Sequence, residues 1–332
     1  MFRGRLVPCN ETPQRLDHVL SELADRKVGS LRLPNSADMK LILRIHTQEY
    51  VDFLSRAWDD WMALDPSNVE MDILPSVWPN QALRRDVEPR NFSARVGQFA
   101  FDAGSPITSG TWQAALAGAA CAADAARAVF GSQREVSVAM ALTRPPGHHA
   151  GANFFGGYCF LNNAALAAQA LRDAGASRIA VLDVDYHHGN GTQSIFYERG
   201  DVFTISIHGD PRTEYPFYLG YADETGAGLG LAANLNLPLA PRTEAKAWFL
   251  ALDEALAAVH RCEAQALVVA LGVDTYEGDP ISSFRLRSEH FFELGRRLSL
   301  ANLPTVFVME GGYAVAEMGV NVVNVLHGYV NG

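Results

Sequence analysis

Cysteine is scarce in this 332-residue chain, with only Cys9, Cys121, Cys159 and Cys262. The four are widely spaced and form no CxxC pair, which argues against a disulfide framework or a cysteine zinc site. Reduced thiols in a cytoplasmic protein are expected. No run of about 18 apolar residues occurs, so no membrane span is expected. The opening Met1-Phe2-Arg3-Gly4-Arg5 lacks the apolar core of a secretory signal. Positive charge is also in deficit: 27 basic against 37 acidic residues leave a net charge of -10. That balance argues against nucleic acid and favours the approach of small cations. Internal repeats are absent. The glycine-rich stretch 226–231 does not open a helix behind a strand, so it does not read as a phosphate cradle.

What the chain does have is apolar residues, 48% of the total, enough for a large core. No linker interrupts it, so one domain over 1–332 is expected. In the C-terminal two thirds, short apolar runs at 136–142, 179–183, 202–207, 266–271 and 305–309 read as strands buried on both faces. Helical stretches fall at 111–130, 162–174, 244–261, 289–301 and 315–327. The alternation predicts an α/β fold, a central mostly parallel sheet with helices on both faces. Residues 57–110, with Trp58, Trp61 and Trp78, read as helical turns and long loops forming a lid or dimer contact.

Polar motifs follow four of the five strands. Arg144-Pro145-Pro146-Gly147-His148-His149 follows the first, Asp183-Val184-Asp185-Tyr186-His187-His188-Gly189 the second, Asp274 the fourth and Glu310-Gly311-Gly312-Tyr313 the fifth. Open α/β sheets bind ligands at that rim. Asp185 and His187, two apart in extended chain, share a face, and Asp274 can complete a three-ligand set for a divalent ion. Asp183 lies inward and pairs with His148. His149 is the candidate general base, with His148 as its charged partner; the chain alone leaves their division of labour open. Tyr313 can donate to a developing oxyanion. Gly156-Gly157-Tyr158 and Tyr215-Pro216 can line a channel for a thin acyl amine. His18, His46, His260, His290 and His327 read as structural.

These residues resemble zinc-dependent histone deacetylases of the arginase–deacetylase fold and, more closely, bacterial acetylpolyamine amidohydrolases. Segments 144–150, 156–163, 183–193, 206–211, 272–280 and 310–313 carry the likeness, which covers most of 8–330. His208-Gly209-Asp210-Pro211, Asp279-Pro280-Ile281-Ser282 and Val308-Met309-Glu310-Gly311-Gly312-Tyr313 mark the closer group. The resemblance implies that Asp185, His187 and Asp274 hold Zn2+, with Fe2+ or Co2+ as substitutes. It implies that His148, His149 and Tyr313 are catalytic, with Asp183 and Asn190 behind the two histidines. Asn190 stands where some members have Asp, which lowers the basicity of His149. Gly157 would accept the substrate amide N–H, and Tyr158 and Tyr215 would wall the tunnel. A structural K+ would sit near Asp183, Asp185, His187 and Ser206, and a homodimer is expected.

Two departures stand out. Relatives carry an extra strand and loop ahead of the segment resembling 4–8, so a sheet strand is expected to be missing or the true start to lie upstream. Polyamine-cleaving members also carry acidic residues in the loop 93–104, whereas Ser93 and Gly104 occur here, with only Asp102 nearby. The resulting expectation is a zinc-dependent amidohydrolase for small acetylated amines, acetylpolyamines first. Acetyl-lysine peptides are the alternative substrate, and a non-catalytic metal-containing binding protein is the remaining class.

Overall fold

The structure, a computed structural model, describes residues 7–80, 82–84, 86–132 and 134–332. Residues 4–6 of the segment resembling the family's start lie outside them. Ten α-helices and six strands occur among the described residues, besides two short 3-10 helices. In order they are α1 (Gln14–Arg26), α2 (Met39–Ile45), α3 (Gln48–Leu64), α4 (Phe92–Phe99), α5 (Thr111–Val129), β1 (Val138–Ala141), α6 (Asn163–Asp173) and β2 (Ile179–Asp183). Then follow α7 (Asn190–Phe196), β3 (Val202–Gly209), β4 (Asn234–Leu239), α8 (Ala245–Arg261), β5 (Ala266–Leu271), α9 (Ser288–Ser299), β6 (Thr305–Met309) and α10 (Val315–Asn331).

The strands form one sheet in the order β1-β6-β5-β2-β3-β4, and every pairing is parallel. Side chains alternate across it, as pleating requires. Ala266, Val268 and Ala270 join the core shared with α2, α3, α5 and α6. Leu267, Val269 and Leu271 join the opposite core, shared with α1, α8, α9 and α10. Both faces are covered, which is why β2, β5 and β6 read as unbroken apolar runs. From β2 the chain moves outward through β3 and β4, then crosses back to β5 on the other side of β2. That reversal opens a crevice at the carboxyl ends of β2 and β5.

Some expectations need correction. The strand expected at 136–142 is shorter, and three of its four residues are only partly buried, because β1 is an edge strand. The strand β4, Asn-Leu-Asn-Leu-Pro-Leu, is additional; Pro238 is tolerated because β4 is the other edge. Within 57–110, the first eight residues continue α3, and α4 packs on it through stacked Phe53 and Phe99, 4.8 Å between centroids.

Candidate metal centre and active site

The crevice collects its polar groups from four adjacent strand ends. Beyond β2, Asp185 Oδ1 accepts the His187 N–H at 2.9 Å, and Asp185 Oδ2 accepts the Gly311 N–H at 2.8 Å from the loop after β6. Beyond β5, Asp274 Oδ1 accepts the Tyr186 N–H at 2.8 Å. Backbone donors thus aim both carboxylates. One donor atom each from Asp185, His187 and Asp274 lies within 4.8 Å of the others, and all three residues are buried. His187 Nδ1 stands 3.0 Å from Asp274 Oδ2 and 3.4 Å from Asp185 Oδ1.

This donor set fits a divalent ion. Two carboxylates and one imidazole converge in a dry pocket, an arrangement that costs several kcal/mol per ion unless a cation compensates it. A Cβ on Gly311 would fall 2.5 Å from Asp185 Oδ2 and 2.6 Å from Asp274 Oδ2, so the cradle admits no side chain there. Burial, reinforced by Asp185, pushes the Asp274 carboxyl up to about 7. Burial also opposes charge on Asp185 and His187. His148 and His187 nevertheless hold Asp185 well below the usual carboxylate range, and hydrogen bonds to Asp185 and Asp274 raise His187 to about 10.

Adjacent histidines follow β1 with their rings 4.0 Å apart. His148 Nδ1 pairs with Asp183 Oδ2 at 2.8 Å, and His149 Nδ1 with Asn190 Oδ1 at 2.7 Å. The Asp/Asn difference separates them electrostatically. Burial disfavours the charged form of both. Asp185 and Asp183 outweigh it at His148, whose pKa rises well above the usual value. At His149, His148 and His187 add to burial and push it well below. The neighbours thus push the pair in opposite directions, His148 toward the charged form and His149 toward the neutral one, with Nδ1 of each ring committed.

Tyr313 is buried, and burial raises its hydroxyl well above the usual tyrosine value. Its backbone N–H and that of Ala314 donate to Asp279 Oδ2 at 2.7 and 3.2 Å. Arg15 lies 4.9 Å over its ring.

A model of the histone deacetylase domain matches residues 9–329. The chain belongs to the histone deacetylase family. It is 50% identical over 99% of its length to acetylpolyamine amidohydrolase 2 of Pseudomonas aeruginosa, 94% of which is covered. Acetylpolyamine amidohydrolase 1 of the same organism is 49% identical, over 98% of this chain and 93% of the relative. The crystal structure of acetylpolyamine aminohydrolase from Burkholderia pseudomallei superposes with a TM-score of 0.93 at 37% identity, covering 99% of this chain and 93% of that one.

In this histone deacetylase domain, the expected tunnel residues surround the histidines. Tyr215 sits 5.0 Å from the His149 ring and 6.1 Å from that of His187. Tyr158 meets the Tyr313 ring edge-on at 5.7 Å. Gly157 has a positive φ of 54°, and a Cβ there would fall 2.2 Å from the His149 ring. The Gly157 carbonyl accepts the Cys159 thiol at 3.3 Å. Ser206, opposite Asp183 in the β2–β3 register, bonds His208 Nδ1 at 2.8 Å. Of the histidines read as structural, His46 bridges the Gly151 carbonyl at 2.9 Å and the Asn162 N–H at 3.0 Å, bracing the loop after His149.

Three supports were not assigned from sequence. Glu310 Oε2 accepts the Gly147 and His148 N–H groups at 2.6 and 3.1 Å, tying the loop after β1 to β6; burial pushes this carboxyl up to about 7. Asp279 fixes Tyr313. Fully buried Arg15 donates to the Gly312 carbonyl at 2.8 Å, to the Glu310 carbonyl and, at 3.0 Å, to Glu11. Glu310 and Asp279 stood inside quoted motifs, but Arg15 gave no signal because the Glu310 and Gly312 carbonyls it holds lie almost 300 residues away.

Proposed function

We propose that this chain is a zinc-dependent amidohydrolase that removes acetyl groups from acetylated polyamines. The carrying observation is the adjacent histidine pair, backed by Asp183 and Asn190, beside a buried Asp–His–Asp donor set. The two Pseudomonas relatives named above support the amide-hydrolase reading and the substrate class.

Asp185, His187 and Asp274 would hold Zn2+, which would supply Lewis acidity toward the acyl carbonyl and its attacking water. His149 Nε2 takes a proton from that water, because its Nδ1–H is given to Asn190. Tyr313 donates its hydroxyl to the acyl oxygen as the carbonyl carbon becomes tetrahedral. His148, charged against Asp183, delivers its Nε2 proton to the leaving nitrogen. The C–N bond breaks, releasing acetate and the amine. Gly157 holds the amide N–H, and Tyr158 and Tyr215 hold the chain of the substrate straight. Fe2+ or Co2+ can replace zinc with the same ligands. Asp183, Asp185, His187 and Ser206 would hold a structural K+.

We place the protein in the cytoplasm, on its four unpaired cysteines, and assign it a homodimer. Exposed Val77, Trp78, Leu83 and Val87 form the contact in residues 57–110. Turnover of zinc-loaded protein on acetylputrescine, acetylspermidine and an acetyl-lysine peptide tests the function. Preference for the polyamines is expected; preference for the peptide would refute the substrate class.

A further inference from the structure

A second group of metal-binding side chains converges beside the Asp–His–Asp set and shares no residue with it. One donor atom each from His148, Cys159 and Glu310 lies within 4.8 Å of the others, and all three residues are buried. Three separate segments supply them. His148 follows β1 and Glu310 follows β6. Cys159 is fixed by a pair of backbone bonds to Gly156, its N–H donating at 2.9 Å and its carbonyl accepting at 3.2 Å. Each side chain keeps a free donor atom or lone pair. Glu310 Oε2 is taken by the Gly147 and His148 N–H groups, but Glu310 Oε1 is buried with no hydrogen-bond partner among the described residues. His148 commits Nδ1 to Asp183. The Cys159 thiol makes one contact, to the Gly157 carbonyl at 3.3 Å. A buried carboxylate oxygen without a donor is unfavourable unless a proton or a cation is supplied to it.

We propose that His148, Cys159 and Glu310 form a second, inhibitory site for a soft divalent ion, Zn2+ in excess or Cd2+. One thiolate, one imidazole and one carboxylate favour zinc and cadmium over magnesium or calcium. Binding forms metal–sulfur, metal–nitrogen and metal–oxygen bonds. It displaces the Cys159 thiol proton and the proton on the free His148 nitrogen to solvent, with no change of oxidation state. Those protons, and the cation held by the neighbouring set, make this the weaker site, so it fills second. With its nitrogen on the metal, His148 has no proton for the leaving nitrogen, and kcat falls while the first ion stays in place. The site stands on its own residues; the inhibition rests on the role proposed above for His148.

The test is equilibrium dialysis of protein holding one zinc per chain against Cd2+. Wild type should take up one further ion per chain and develop a thiolate-to-cadmium charge-transfer band in the ultraviolet. The Asp–His–Asp set contains no sulfur, so cadmium exchanged into it is silent in that band. C159A should lose the band and bind the further ion at least about tenfold more weakly. E310Q, which keeps an acceptor for the two backbone N–H groups, should also weaken it. Excess Zn2+ should lower wild-type kcat on N-acetylputrescine with KM unchanged, and C159A should need about tenfold more zinc for the same loss. No further ion in wild type, or a band that survives C159A, would overturn the site; the first is read on wild type alone, whatever the variants do to folding. A further ion that leaves kcat unchanged would overturn the inhibition. Failure of wild type with one zinc to turn over any acylated amine would overturn the amidohydrolase reading, while the dialysis would still decide the site.

Discussion

The floor of the site and its mouth are built on different terms. The floor comes from the ends of β1, β6, β5 and β2, adjacent in one buried sheet. Nearly every polar atom there is aimed by a backbone N–H or by a second side chain. The mouth comes from the segments around 101–105, 157–158 and 215–217, where Phe101 and Phe217 pack on Tyr215 beside the His149 ring. Asp185 is held by two N–H groups at 2.8 and 2.9 Å, whereas Tyr218 is 90% exposed. Reaction chemistry therefore resides where the sheet leaves no freedom, and substrate choice where loops can vary without disturbing it.

The largest effects should come from the floor. His149→Ala removes the neutral imidazole and should lower kcat by about 10²–10⁴-fold. Tyr313→Phe should cost about 10²–10³-fold, with bound metal retained. Single-turnover kinetics with metal analysis checks both. A Tyr313→Phe variant of unchanged kcat would mean that the acyl oxygen is stabilised elsewhere.

Next is Arg15→Ala, which leaves the Glu310 and Gly312 carbonyls without their buried donor and Glu11 with Arg144 as its remaining partner. A loss of about 3–5 kcal/mol in unfolding free energy is expected, with reduced kcat as Tyr313 loosens. Urea unfolding followed by activity assays of the folded fraction would measure it. An unchanged midpoint would show that water replaces the guanidinium.

Arg15 also marks the limit of what the chain reveals by itself. The motif residues were legible because hard ligands and paired histidines are unusual directly after apolar strands. The central strands were legible because burial on both faces leaves them uninterrupted. Edge strand β4 escaped because one polar side makes its Asn–Leu alternation look like loop, and Pro238 strengthens that impression. Arg15 escaped for a deeper reason: on an amphipathic helix an arginine reads as solvent-facing. Only the contact between α1 and α10 carries it beneath the Glu310–Tyr313 turn. Asp102 was visible only as a solitary acid, since the Gly157 N–H and Tyr215 hydroxyl it accepts lie 55 and 113 residues further along.

A smaller effect should follow from Asn190→Asp. In the proposed mechanism activity requires neutral His149, so its acid limb would report the pKa of that imidazole, which burial, His148 and His187 depress. A carboxylate at Nδ1 favours the protonated ring and raises that pKa, moving the acid limb upward by about one unit. The alkaline limb, which reports loss of the His148 proton, should move less. A pH profile of kcat/KM checks this; movement of the alkaline limb alone would reverse the roles of the two histidines.

The segment around Trp78 should respond least in chemistry and most in assembly. Gly97 on α4 lets the backbone of Val77 lie directly against the helix, since a Cβ there would fall 1.6 Å from the Val77 carbonyl oxygen. Trp78 is thereby held beside α4 and left 38% exposed, and Val77, Leu83 and Val87 are exposed in the same stretch of chain. Trp78→Ala removes the largest of these side chains without touching any group near the metal. The proposed dimer should weaken, measured by sedimentation at several concentrations, by up to about 2 kcal/mol or more for a central aromatic anchor. kcat on a small neutral acetamide should remain within about twofold, since such variants act outside the reacting groups. If that kcat instead fell with the dimer, the floor would depend on the partner subunit, and the separation between a fixed floor and a variable mouth would fail.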